Sequence, residues 1–285
     1  MRSYLNGKFV DADAAVVPVT DRGFMFGDGV YEVTRSAGGD LIELTRHVRR
    51  LTRNLREMAI SLRESDVATM VDVSRTLLRD NRLDGDALVY WQVTRGAAPR
   101  VHQFPPVGTV PTVYVATMPV TLPHAVRTRG AVAITTPDIR WARCDVKTVN
   151  LLPNTLAKQR AVESGADEAI FVRDGTITEG ASSNVFAVLD GELRTHPRSP
   201  YILPGVTRDV VLEVAGEAGM SVREEPFRPD DLARASELFF TSTFNDVMPI
   251  VRVDGRTIGS GRPGPVAQQL YAAFLERVSP VAAAP

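Results

Sequence analysis

The chain has 285 residues, 44% of them hydrophobic and 24% charged, with a formal net charge of −1. That length suits one large domain or two smaller ones, and the near-neutral balance gives no reason to expect a nucleic acid or a membrane as partner. The one cysteine, Cys144, excludes an intrachain disulfide and a cysteine-based metal site, and the four histidines lack metal-ligand spacing, so no metal is expected. No apolar leader opens the chain and no stretch approaches a membrane span, which points to a reduced, cytoplasmic protein.

In chain order, Tyr4-Leu5, Asn6-Gly7 and Lys8-Phe9-Val10 read as a hairpin with a tight Asn-Gly turn. The run DRGFMFGDGVYEVTRS places a Gly-rich approach before a strand at 30–36, in which Tyr31, Val33 and Arg35 alternate onto one face. Leu44, Val48, Leu51, Leu55 and Met58 recur at helical spacing, which predicts an amphipathic helix over 45–59. A second helix follows Ser65, and strands are expected at 88–94 and 110–117. Pro119 and Pro123 mark a linker. Beyond it, strands are expected at 131–135, 168–173, 184–189, 238–241 and 250–253, and helices at 154–164, 207–218 and 266–277, with a frayed end at 282–285. The pattern is α/β (α+β) in two domains, 1–118 and 126–285, joined by a linker at 119–125.

Lysine usage is skewed. Only Lys8, Lys147 and Lys158 are lysines, against thirty arginines. An amine loses its proton and attacks a carbonyl to form a Schiff base, whereas a guanidinium stays charged. Lys147, central in DIRWARCDVKTVNLLPNTLAKQRA, is therefore a candidate reactive amine, although a solvated surface lysine is the plainer alternative. Four other stretches carry chemistry. Leu203-Pro204-Gly205-Val206-Thr207 opens a helix, where free N–H groups and the helix dipole suit an anion, or is an ordinary helix start. Thr241-Ser242-Thr243 puts hydroxyls at a strand end, and Thr178-Glu179-Gly180-Ala181-Ser182-Ser183 puts a carboxylate in what reads as a loop before a strand. Arg100 and His102, two apart, would together suit a carboxylate, or belong to an exposed basic loop. Arg50, with Arg46, Arg49 and Arg53 nearby, reads as part of the polar face of its helix or as an anion contact.

The runs DRGFMFGDGVYEV, YWQVTRGAAPRVHQFP, DIRWARCDVKTVNLL, ITEGASSNVF, LPGVTRDVV and ELFFTST occur in one order and spacing. Together they closely resemble the fold-type IV pyridoxal-phosphate transaminases, and within them those acting on D-amino acids, from Tyr4 to Val253. The resemblance implies pyridoxal 5'-phosphate as cofactor, in the cleft between a small N-terminal and a larger C-terminal domain. It assigns Lys147 to the Schiff base and Glu179 to the pyridine nitrogen. Arg50, Val206, Thr207 and Thr243 match the phosphate cup, with Ser242 beside it and Leu203 and Ser183 as further cofactor contacts. Tyr31 matches an active-site tyrosine, and Arg100 with His102 the trap for the substrate α-carboxylate, supplied across a homodimer.

The implied reaction is a ping-pong exchange through pyridoxamine phosphate. It takes D-alanine or D-glutamate class donors and 2-oxo acids such as 2-oxoglutarate or pyruvate. The rivals are a branched-chain L-amino acid or (R)-amine transaminase, and an aminodeoxychorismate-type lyase. The Arg100/His102 pair argues against the first two, because it supplies a carboxylate trap. Arg35, on the face of Tyr31, is a candidate for holding a distal substrate carboxylate, the alternative being a solvated arginine.

Overall fold

The structure, a computed structural model, describes residues 1–278, and the frayed end expected at 282–285 lies outside them. The chain divides into two compact units.

The first unit is Met1–Thr121 together with Val146–Asn150. β1 (Arg2–Leu5) and β2 (Lys8–Asp11) form the expected hairpin, with Asn6 and Gly7 both at positive φ, the backbone a two-residue turn demands. A short helix, α1 (Arg22–Phe26), stands where the sequence shows only a Gly-rich approach. Asp21 caps it by accepting from the Gly23 N–H at 2.8 Å, and Gly27 ends it at φ 67°. There follow β3 (Gly29–Ala37), β4 (Asp40–Leu41), α2 (Leu44–Glu57), α3 (Glu64–Asp80), β5 (Ala87–Thr94) and β6 (Thr112–Pro119).

The six strands form one antiparallel sheet in the order β2-β1-β6-β5-β3-β4. Leu51 and Leu55 of α2 and Met70 and Leu77 of α3 pack with Val89, Trp91, Val93 and Val115 of the sheet into a buried core. The Trp91 indole N–H lies in this layer and donates to Ser74 Oγ at 2.8 Å, so its polar atom is satisfied. Strand alternation sends Tyr31, Val33 and Arg35 to the opposite face, where Tyr31, Tyr90 and Tyr114 form a row of rings 5.7 and 6.4 Å apart.

The second unit is Leu122–Asp145 and Leu151–Pro285. It contains α4 (His124–Arg129), β7 (Ala131–Pro137), α5 (Leu152–Glu163), β8 (Glu168–Arg173), β9 (Thr176–Gly180), β10 (Asn184–Leu189) and β11 (Glu192–Thr195). Then come α6 (Val206–Glu217), β12 (Val222–Arg223), β13 (Ala235–Ser242), β14 (Asp246–Val253), β15 (Arg256–Thr257) and α7 (Pro265–Val278). The sheet runs β12-β11-β10-β13-β14-β7-β8-β9, with β15 on β14. It is parallel at β11/β12, β14/β7 and β7/β8. Val210, Val211 and Val214 of α6 and Leu270 and Phe274 of α7 pack with Phe186 and Phe239 of the sheet. Ala157 and Ala161 of α5 pack with Phe171.

Three differences from the sequence reading bear on the site. Thr178 and Glu179 lie within β9 rather than in a loop. β14 starts at Asp246, four residues earlier than expected, because Pro249 sits where only β13 pairs with it; β7 joins from Ile250 on. The five residues Val146–Asn150, expected in the second domain, lie in the first unit. They run along β3, with Tyr31 N–H donating to Lys147 O at 3.0 Å, Val149 N–H to Gly29 O at 3.1 Å, and Val146 buried in the first core. Within the expected linker, Val120 N–H donates to Asp86 O at 3.1 Å, and α4 already begins at His124.

Gly96, at the root of the loop after β5, has φ 95°, and a Cβ there would lie 2.1 Å from Val110 O. Gly96→Ala is expected to destabilise the protein by on the order of 2 kcal/mol, read as a lower urea midpoint with an unchanged slope.

Candidate active site

Lys147 is held by main chain. Its carbonyl accepts from Tyr31 at the start of β3, and its Nζ stands 4.2 Å from the centroid of the Tyr31 ring. The side chain is half-buried, so the amine is neither a freely solvated surface group nor sealed in the core. Beneath this strand, on the helix side, lies Glu32, which is fully buried. Arg50 clasps it with Nε to Oε2 at 2.8 Å and Nη2 to Oε1 at 2.6 Å, and His47 Nδ1 lies 3.0 Å from Oε1. Burial pushes the Glu32 carboxyl up, but Arg50 and then His47 outweigh it and hold it well below the usual range. Burial lowers His47, against the pull of the Glu32 carboxylate that its Nδ1 faces. Arg50 is thus no part of a solvated basic face. It is 8% exposed, because its strand neighbour supplies a carboxylate.

In the second unit Glu179 is equally buried, at 4% exposure. Arg140 Nη1 donates to Oε1, and Oε2 accepts from Asn184 Nδ2 at 3.0 Å and from the Leu203 N–H at 2.9 Å. Arg140 also binds Asp138 through Nε at 2.9 Å and Nη2 at 2.8 Å, and its guanidinium stacks 4.2 Å from the Phe171 ring. Burial pushes the Glu179 carboxyl up to about 7, against the opposing pull of Arg140 and the Leu203 N–H. Asn184 Nδ2 also donates to Leu203 O at 2.9 Å, which ties Glu179 to the turn ahead of α6.

That turn ends in a helix start that no side chain caps: Gly205 is the N-cap, and Val206 and Thr207 follow, both buried. Gly205 has no room for a side chain, since a Cβ would stand 2.0 Å from Asn184 Oδ1. Ser242 ends β13, and its Oγ accepts from the Asn245 N–H at 3.0 Å, with Thr243 next to it and the buried Thr241 hydroxyl without a hydrogen-bond partner among the described residues. The Ser183 hydroxyl is committed elsewhere, donating to Glu168 Oε2 at 3.0 Å. Lys158 donates to Asp167 O and lies 3.8 Å from Glu168, which gives it a structural occupation.

Arg100 and His102 are both exposed, and both pack on the Phe26 ring, with Arg100 Cζ 5.3 Å and the imidazole 5.8 Å from its centroid. Arg35 is on the face of Tyr31 as expected but is not solvated: it is 4% exposed, with Nε 4.0 Å from Asp86 Oδ1. Sequence reasoning missed Glu32, His47, Asp138, Arg140 and Asn184. The signal for the first two was the i, i+3 pair His47/Arg50 facing a strand glutamate. No comparable signal marks Arg140's contact with Glu179, which spans 39 residues. Among the described residues no helix is long and apolar enough to cross a membrane, and no cluster of His, Cys, Asp or Glu could hold a metal.

Comparison with known proteins finds the amino-transferase class IV family model matching residues 29–253. A D-alanine aminotransferase of Bacillus licheniformis is 41% identical, covering 98% of this chain and 97% of its own. One from Staphylococcus aureus (strain N315) is also 41% identical, at 95% of each. Among solved structures, the branched-chain amino acid aminotransferase of Escherichia coli superposes with a TM-score of 0.88 at 27% identity, covering 97% of this chain and 94% of that one. A branched-chain enzyme from T.th., complexed with N-(5'-phosphopyridoxyl)-L-glutamate, gives 0.86 at 29%, covering 97% and 93%.

The raised Glu179 carboxyl has a consequence for stability. Folded protein keeps this proton up to about pH 7, whereas the unfolded chain releases it near 4.5. Stability from this group is therefore fully present at low pH and is lost as pH rises from 4.5 to 7. Glu179→Gln is expected to flatten the fall in unfolding free energy across that window, measured by urea titration at each pH.

Proposed function

The chain belongs to the amino-transferase class IV family, and within it we propose that it moves amino groups from D-amino acids to 2-oxo acids. The family works with pyridoxal 5'-phosphate. The residues present suit that group. Glu179 offers about four acceptor sites, of which Arg140, Asn184 and Leu203 occupy three, leaving one for a ring N–H. The uncapped start of α6 leaves backbone donors for a phosphate.

When bound, the cofactor supplies a carbonyl carbon that links to an amine and a ring that draws electrons from the substrate Cα–H bond. We assign Lys147 as the lysine that carries it. Once the substrate amine has taken its place on the cofactor, the freed and uncharged Nζ would take the Cα proton and later return one, a transfer typically worth ~10²–10⁴-fold. An arginine here would keep its proton and do neither. Glu179, whose anionic form Arg140 favours against the burial that raises it, would hold a proton on the ring nitrogen once a cationic ring stands beside it. Arg50, Val206, Thr207 and Thr243 are assigned to the phosphate, with Leu203, Ser183 and Ser242 beside them. Tyr31, whose ring stands against the Lys147 amine, is assigned to the reacting side.

The observation that carries D-amino acid specificity is the Arg100/His102 pair: two donors on one exposed loop, both braced on Phe26. A guanidinium and an imidazole so placed suit an α-carboxylate. The 41% likeness to D-alanine aminotransferases, against 27–29% for the branched-chain structures, points the same way. The working unit we infer is a homodimer in which this loop serves the other copy. Phe24, Phe104 and Val110, 74, 59 and 79% exposed on the same unit, are apolar surface suited to that contact. Its partners are small amino and 2-oxo acids, with no nucleic acid or membrane.

Mixing the yellow holoenzyme with D-alanine, L-leucine or (R)-1-phenylethylamine and following the visible band tests the reading. Fast loss with D-alanine alone is expected; loss with L-leucine and none with D-alanine would overturn it. Arg35 is assigned to the distal carboxylate of acidic substrates. Arg35→Ala is expected to lower the kcat/KM ratio of D-glutamate to D-alanine roughly tenfold, the order of one charge-assisted contact, and an unchanged ratio removes it from that role.

A further inference from the structure

The Gly-rich run ahead of β3 has no part in the chemistry assigned so far, yet it contains a buried and extensively bonded charged cluster. Asp28 is buried at 8% exposure. Its Oδ2 accepts from Arg22 Nε and Arg95 Nε, both at 2.8 Å, and its Oδ1 from Arg95 Nη2 at 2.9 Å. Each arginine then reaches onward with its remaining donors. Arg22 Nη1 donates to Val101 O at 2.7 Å and Nη2 to His102 O at 3.4 Å. Arg95 donates to Ala59 O at 2.8 Å and Met58 O at 2.6 Å, and its guanidinium lies 3.6 Å from the Phe104 ring centroid. Arg22 also stacks on Phe26, 4.7 Å from the ring that carries Arg100 and His102.

The Arg22 contacts end on the loop that carries the carboxylate-binding pair or on its immediate support, and Arg95 adds a stacking contact to Phe104 of the same loop. The loop itself is exposed and irregular at 99–107. Backbone carbonyls at 101 and 102 face a buried cation, which is a costly arrangement to build unless it fixes those residues. Arginine is needed, because one planar fork must serve Asp28 with Nε and two carbonyls with its Nη atoms.

We propose that Arg22, locked by Asp28, is a positioning residue that presets Arg100 and His102 for the substrate α-carboxylate. The inference rests on the assignment of that pair to the carboxylate. Loss of the Arg22 fork loosens the loop, so substrates with a carboxylate bind less well while proton transfer by Lys147 is affected less.

The test uses holoenzyme of Arg22→Met and Arg22→Lys, the second keeping the charge against Asp28 in case the first fails to fold. KM for D-alanine is expected to rise about tenfold in both, the order of one charge-assisted hydrogen bond, with a smaller change in kcat. Backbone amide exchange over 99–105, read by mass spectrometry, is expected to quicken there and not in β3 or β5. Arg100→Ala and His102→Ala are measured alongside. If both leave KM for D-alanine unchanged, the carboxylate assignment falls and the inference with it. If they raise KM while Arg22→Lys, folded to the wild-type melting temperature, keeps wild-type KM and exchange, the inference alone is overturned.

Discussion

A carboxylate taken out of water needs donors or a cation to hold its charge, and in three places that bear on the candidate site the chain meets that need with arginine. Glu32 with Arg50, Asp28 with Arg22 and Arg95, and Glu179 with Arg140 repeat one solution. In each, an anion sits on or just before a strand and a planar guanidinium from elsewhere in the same unit closes on it. Removing one member would leave the other buried and unpaired, which is typically worth ~3–5 kcal/mol. The arrangement therefore orders the segments that carry it, whatever its net contribution to stability. It also explains the skew toward arginine. Each of these guanidiniums makes several directed bonds at once, and an ammonium offers no matching fork.

Against that background Lys147 is conspicuous for what surrounds it. Its position is set by backbone pairing with β3, its amine rests on the Tyr31 ring, and the nearby buried charges are already matched, Glu32 by Arg50. An amine held in place with no carboxylate clamp of its own among the described residues remains available for covalent chemistry. The opposite face of the same strand carries the Glu32 network, so one extended segment separates a satisfied ionic layer from the face on which Tyr31 meets Lys147 by simple alternation.

Much of this was legible beforehand. Hairpin β1/β2 announced itself through Asn-Gly, α2 through its 3.6-residue period, and the face shared by Tyr31 and Arg35 through alternation. What stayed hidden follows a common rule. Glu179 read as a loop residue because Thr176–Gly180 is short and polar, and only its pairing with β8 makes it a strand. Arg50 read as solvated because the partner that buries it lies eighteen residues away in the chain. Arg140, Asp28 and Arg95 carry no periodicity at all, since a single long-range ion pair leaves no repeated mark on a sequence. The return of Val146–Asn150 to the first unit was hidden for the same reason: five residues are too few to show a pattern of their own.

That return alters how the two units are joined. The backbone passes from the first to the second at Thr121/Leu122, back at Asp145/Val146, and across again at Asn150/Leu151. The units share three covalent connections rather than one. A protease nick in the proline-bounded stretch at 119–123 would leave two of them intact. Nor would a fragment truncated at that stretch be a complete folding unit, because the N-terminal piece would lack the segment that lies along β3. The lysine assigned to chemistry rides on that segment, so its placement depends on both parts of the polypeptide being made as one chain.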